Sequence, residues 1–148
     1  MLDKGDEMSR HYQFESGMTL TGSNADVRVP VKPSEEKTIL TALYYQLLQA
    51  KGFMTIAAPG SPVDVTGLAE DLLANKGKSL VISGSSDVNI QLIVNAINNL
   101  LGNYGSTILL DRPLNTHQAI DADFEKVITG LKNKEIAGIL CWSVNPVY

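Results

Sequence analysis

Four places along this chain carry groups suited to gripping a ligand: Glu15, the loop at 83–87, Asp111, and the run at 143–146. Each follows a segment that reads as a strand, and in an open parallel sheet ligands settle beyond the carboxyl ends of the strands. A carboxylate at such an end accepts hydrogen bonds from ribose hydroxyls, which makes Glu15 a candidate nucleotide contact. A solvated strand-end acid is the commoner arrangement and stands beside it. Ser83-Gly84-Ser85-Ser86 opens a helix, where free amides and the helix dipole suit an anion. The loop lacks the G-x-G-x-x-G, Walker and G-x-S-x-G spacings, so a tight strand-to-helix turn is the simpler reading. Gly102-Asn103-Tyr104-Gly105 is open to a phosphate in the same way, but reads first as a helix stop and turn.

The remaining reactive residues are isolated. His11 and His117 have no second ligand at helical spacing and no triad around them. Cys141 lies in an apolar segment and reads as a small buried hydrophobe, with Trp142 beside it packing or lining a lobe interface. Asp121, Asp123 and Glu125 cluster at a helix start, where acids are common for dipole reasons alone. One cysteine excludes an internal disulfide framework, a self-contained iron–sulfur site and a Cys-rich zinc site. A net charge of −4 with no strongly basic stretch gives nucleic-acid binding little electrostatic support. The N-terminus has no apolar signal-peptide core. Residues 88–110 are uncharged, but Asn89, Gln91, Asn95, Asn98, Asn99 and Asn103 argue against a membrane span.

The elements that must position these groups follow from periodicity. Residues 11–15 read as a short strand and 16–24 as a Gly/Ser/Thr/Asn loop. Pro30 and Pro33 bracket an extended segment, after which Ser34 is placed as a helix N-cap with Glu35 and Glu36 in the first turn. Ile39, Leu43 and Leu47 recur at helical spacing until Gly52 ends the run. The Pro- and Gly-bearing stretch 53–64 reads as a linker, so the spacing predicts two parts: residues 1–60, the end of a first α/β lobe, and 61–148, a second Rossmann-like lobe. The second contains a helix at 66–75 and an apolar strand at 79–83. A helix capped by Ser85, Ser86 or Asp87 then runs to Leu101, with Gln91, Asn95 and Asn98 as its polar stripe and Gly102 as its stop. A strand at 107–110, a helix at 122–132 and a strand at 136–142 complete it. Strands without alternation need cover on both faces. The expected class is therefore α/β: a Rossmann-like, mainly parallel sheet with helices on both faces. The sequence stops just past a strand that should be central, which marks it as a fragment of a larger fold.

In order, five pieces carry a resemblance. They are residues 12–26; Val31-Lys32-Pro33-Ser34-Glu35-Glu36; residues 80–87; Asn95-Ala-Ile-Asn-Asn-Leu-Leu-Gly-Asn-Tyr-Gly105; and Trp142-Ser-Val-Asn-Pro146. The series resembles the middle of molybdopterin oxidoreductases of the dimethyl-sulfoxide-reductase type. The stretches Glu-Ser-Gly-Met-Thr-Leu-Thr-Gly-Ser-Asn-Ala-Asp-Val-Arg and Asn-Asn-Leu-Leu-Gly-Asn-Tyr-Gly are similar to the large iron–sulfur subunit of alternative complex III, a quinol-oxidising assembly.

That resemblance implies a pterin guanine dinucleotide pocket at Glu15, Ser34, Glu36, Gly84 and Asn145. It also implies that the pocket is vestigial. Pro33-Ser34-Glu35-Glu36 stands where the family has Pro-Gly-Thr-Asp, and Glu15-Ser16-Gly17 where it has Asp-Pro-Arg. No catalytic residue and no metal ligand of the family can be matched. The implied role is a non-catalytic structural and interaction domain without a cofactor of its own. Its partners would be the cluster-bearing remainder of the parent chain and the other subunits of a membrane electron-transfer complex. The parent would lie at the periplasmic face of the cytoplasmic membrane, with no membrane insertion by this segment and no nucleic acid. One alternative is a fragment of an active molybdopterin oxidoreductase that helps bind the dinucleotide; another is a free-standing nucleotide-binding α/β protein.

Overall fold

Tyr12, Phe14, Val27 and Val29 are aromatic or β-branched and alternate with polar neighbours, the pattern of a half-buried strand pair. In the computed structural model, which describes residues 8–53, 55–113 and 120–144, they form β1 (Tyr12–Glu15) and β2 (Val27–Pro30). The two strands are parallel, with Tyr12 opposite Val27 and Glu15 opposite Pro30. The ladder is extended by Val27 N–H to the His11 carbonyl (3.0 Å) and Val31 N–H to the Glu15 carbonyl (3.1 Å). The connection, expected to be loop throughout, contains a one-turn helix, α1 (Leu20–Ser23), because Thr19 caps it by accepting from the Gly22 N–H. β2 begins earlier than the extended segment expected after Pro30.

A 3-10 turn at Pro33–Glu35 leads into α2 (Glu36–Ala50). Ser34 is not the N-cap. Pro33 takes the first helical position, where its missing N–H costs nothing, and Lys32 becomes the flanking residue, its N–H donating to the Glu35 carboxylate at 3.0 Å. Then follow α3 (Thr66–Ala74) and α4 (Val88–Leu101). Of the three expected caps for α4, Asp87 serves: its carboxylate accepts from the Asn89 N–H at 2.8 Å. Gly102 ends α4 in the left-handed conformation, φ 71°, which only glycine adopts without strain.

These elements belong to a compact unit spanning Met1–Asp111; a second unit, Arg112–Tyr148, contains α5 (Asp121–Lys132). The first unit's core joins Ile39, Ala42, Leu43 and Leu47 of α2 to Val65, Ala69 and Leu72 around α3 and to Ile97 and Leu101 of α4. It thus draws on residues from both sides of the Pro59–Pro62 stretch. Each large aliphatic side chain buried here is worth roughly 1.5–3 kcal/mol of transfer free energy.

The chain is mixed helix and strand, with a two-stranded parallel sheet and five helices among the described residues. The strands expected at 79–83, 107–110 and 136–142 form no ladder. The second of them contributes to an isolated bridge, Tyr104 with Ile108. Residues 79–83 are instead held by a side chain. Asn98, expected on the polar stripe of α4, is 2% exposed and faces inward. Its carboxamide oxygen accepts from the Val81 N–H at 3.1 Å and its amide donates to the Val81 carbonyl at 2.7 Å. Fully buried Asn103 donates to the same Asn98 oxygen at 2.9 Å. Position 98 is polar because the backbone beside it needs a partner, not because it faces water.

Candidate functional site

Parallel pairing puts Gln13, Glu15 and Arg28 on one face of the sheet and Tyr12, Phe14, Val27 and Val29 on the other. Phe14 packs on the apolar core, and the Tyr12 hydroxyl donates to Asp71 of α3, a carboxylate also bound by Arg10 at 2.8 Å. The opposite face is organised by Glu15. Its Oε1 accepts from Arg28 Nε at 2.6 Å and from the Thr19 N–H at 3.2 Å. Its Oε2 accepts from the Thr19 hydroxyl at 2.7 Å and from Gln13 Nε2 at 3.4 Å. A carboxylate offers about four acceptor positions, and all four are taken from within the chain.

The Arg28 guanidinium, followed by the Thr19 hydroxyl, holds the Glu15 carboxyl down at about 2, against 4.5 for the free group. Its side chain is 8% exposed. The floor beneath it is Gly22, where an added Cβ would lie 1.9 Å from Glu15 Oε1. One threonine therefore does two things: it caps α1 and, from the same residue, donates twice to the strand-end acid.

Glu36 and the loop bearing Gly84 are brought together through Ser83, whose hydroxyl donates to the Glu36 carboxylate and accepts from the Ser85 N–H at 3.1 Å. Gln91 Nε2 closes the loop further onto the carbonyls of Ser83 (3.1 Å) and Ser85 (2.6 Å). Gly84 is exposed, and a Cβ there would meet nothing within 4 Å. Ser34 is exposed on the 3-10 turn, as is Asp111 at the end of its own segment. Among the described residues no hydrogen bond joins Glu15 to Ser34, Glu36 or the Gly84 loop. Asn145 and His117 lie outside the described residues.

A shallow depression of about 330 Å³ opens beside the carboxyl ends of β1 and β2, lined by Ser16, Pro30, Val31, Lys32, Pro33 and Glu35. Lys32 and Glu35 form an exposed ion pair across it at 3.5 Å. Sequence reading did not single out Ser16, Lys32 or Glu35 as ligand groups, because it did not recognise β2 as a strand. The Val-Arg-Val alternation at 27–29 was the available signal.

Elsewhere, Cys141 is exposed rather than buried, and Trp142 is 82% exposed, because 136–142 has no strand neighbours to cover it. Asp123 pairs with Lys126 at 2.7 Å, one turn along α5. Among the described residues no group of three or more His, Cys, Asp or Glu side chains is placed to hold a metal ion. No helix among them is long and apolar enough to cross a membrane. No protein-family model matches the chain, and no curated protein matches it in sequence.

Proposed function

We propose that this chain is a non-catalytic structural and interaction domain of Rossmann-like ancestry. It would belong to a molybdopterin-oxidoreductase-like iron–sulfur subunit at the periplasmic face of a membrane electron-transfer complex. Its task is to hold the cluster-bearing remainder of the parent against the other subunits, while electrons pass elsewhere. The family relationship rests on the ordered motifs between Tyr12 and Pro146.

The observation that carries the reading is the state of Glu15. A strand-end acid that gripped a ribose would keep acceptor positions open, whereas this one is filled by Arg28, Thr19 and Gln13. Glu36 is likewise engaged by Ser83, and Gly84 sits on an exposed loop whose serine and glutamine groups bond to one another. This donor and acceptor set does not fit a pterin guanine dinucleotide. The alternative, a fragment that still contributes to dinucleotide binding, has in its favour that Ser83 brings Glu36 and the Gly84 loop together.

Equilibrium dialysis of the purified chain against guanosine diphosphate, with metal and pterin analysis of the same sample, tests the proposal. We expect a colourless protein with no saturable nucleotide binding and no molybdenum, tungsten or pterin. Stoichiometric nucleotide uptake that is lost in Glu36→Gln would replace this reading with the alternative.

A further inference from the structure

Successive peptide groups of an extended chain point to opposite edges, so a segment held on one side leaves every second residue open on the other. The burial of residues 79–83 alternates with that period: Ser79, Val81 and Ser83 are half-buried, whereas Leu80 and Ile82 are exposed. One edge is held by side chains. The Ser79 carbonyl accepts from the Thr107 hydroxyl at 2.7 Å, the Val81 N–H and carbonyl meet Asn98, and the Ser83 carbonyl accepts from Gln91 Nε2 at 3.1 Å. On the other edge, among the described residues, Leu80 and Ile82 bond through neither N–H nor carbonyl. Unpaired donors and acceptors in a row, beside exposed apolar side chains, are a template for another strand. Ser79-Leu80-Val81-Ile82-Ser83 also reads nearly the same in either direction, with Val81 at its centre. A two-fold axis at Val81 therefore sets like against like, as an interface between identical chains requires.

We propose that this edge pairs with the same segment of a second copy of the chain, antiparallel about Val81. Leu80 stands opposite Ile82 of the second copy, and Ile82 opposite its Leu80. Each such rung exchanges a pair of N–H to carbonyl bonds, so every open backbone group at Leu80 and Ile82 gains a partner. The exposed Leu80 and Ile82 side chains meet on one face of the joint ladder. An unrelated strand would satisfy the same backbone groups, but only a second copy makes use of the near-palindrome. Charge agrees with this register. The segment itself is uncharged, Lys78 falls opposite Gly84 of the second copy, and the next charge beyond that glycine is Asp87, of opposite sign. So short a ladder buries far less than the ~800 Å² per partner of a standard interface, so the association is weak and depends on concentration. The inference is independent of the parent assembly proposed above.

The test is sedimentation equilibrium of the intact chain from about 10 μM to about 1 mM, with amide hydrogen exchange read by NMR at both ends of that range. The weight-average mass should climb towards twice that of the monomer. Over the same range exchange at the Leu80 and Ile82 amides should slow by about three-fold or more, while the Val81 amide, already bonded to Asn98, changes little. Ile82→Pro removes an N–H that bonds nothing within the chain and should hold the mass at that of the monomer. Two double variants read the register. Leu80→Lys with Ile82→Lys sets like charges opposite each other and should abolish association, whereas Leu80→Lys with Ile82→Glu sets opposite charges together and should retain it. A mass that stays monomeric in the wild type overturns the proposal. So does a rising mass with unprotected Leu80 and Ile82 amides, which would place the contact on another surface. Association equal in the two double variants, each with native circular dichroism, overturns it as well.

Discussion

β1 and the segment at 79–83 are both short and both expected as strands, yet their backbones are satisfied by different means. β1 has a strand beside it, and four residues in register share the ladder. The other segment has a side chain beside it: the Asn98 carboxamide offers one donor and one acceptor to Val81, the same pair a peptide group would offer. A ladder fixes register at every rung, whereas an amide side chain fixes one residue. Leu80 and Ile82 accordingly make no backbone hydrogen bond among the described residues, and they are 51% and 79% exposed. The charged face of the sheet shows the same economy of partners. Glu15 draws Arg28 from the neighbouring strand and Thr19 from the connection, so the ladder and the ion pair reinforce each other.

The contrast is broken most severely at Asn98. Asn98→Ala leaves the Val81 N–H and the Asn103 amide without their partner in a buried setting, and we expect a loss of about 3 kcal/mol in chemical denaturation. A loss below about 1 kcal/mol would mean that water replaces the carboxamide and that the single rung is dispensable. Gly22→Ala attacks the other region. The new methyl group occupies the place of the Glu15 carboxylate, which can move only by leaving Arg28 and Thr19, so a cost of roughly 1–2 kcal/mol is expected. Gly84→Ala serves as its control: the space there is open, and the change should stay within about 0.5 kcal/mol. Equal effects from the two alanines would show that the floor under Glu15 yields.

The acid limb of the stability curve probes the same carboxylate by titration. The folded Glu15 carboxyl titrates at about 2 against 4.5 for the free group, so the folded chain binds this proton more weakly than the unfolded chain. Its contribution is complete above pH 4.5 and vanishes as pH falls towards 2. Arg28→Met removes the largest cause of the depression and should flatten denaturation midpoints across that window, leaving the neutral plateau nearly parallel to the wild type. An acid limb unchanged in Arg28→Met would assign the slope to other carboxylates, with Asp71 beside Tyr12 and Arg10 the next to examine.

Local signals were enough to locate most helices. The spacing of Ile39, Leu43 and Leu47, the Asp87 cap, the Gly102 stop and the acidic start of α5 each act within a few residues, and each is realised in the structure. The acid at the end of β1 was legible too, as a strand-end carboxylate. Its partner was not, because Arg28 reaches it only through a strand register set between segments thirteen residues apart. Ser34 misled because the fixed ring geometry of the preceding proline outweighs the capping tendency of a serine.

The sequence by itself determined where the longer helices lie and where they end, and that a single cysteine allows no disulfide framework within the chain. Tertiary structure alone decided which extended segments find a strand, that Asn98 turns inward to serve Val81, and that Glu15 spends its acceptors on its own chain. The physical reason is range. Helix periodicity and capping are satisfied between near neighbours, whereas a buried polar group is satisfied by whatever the folded chain brings beside it.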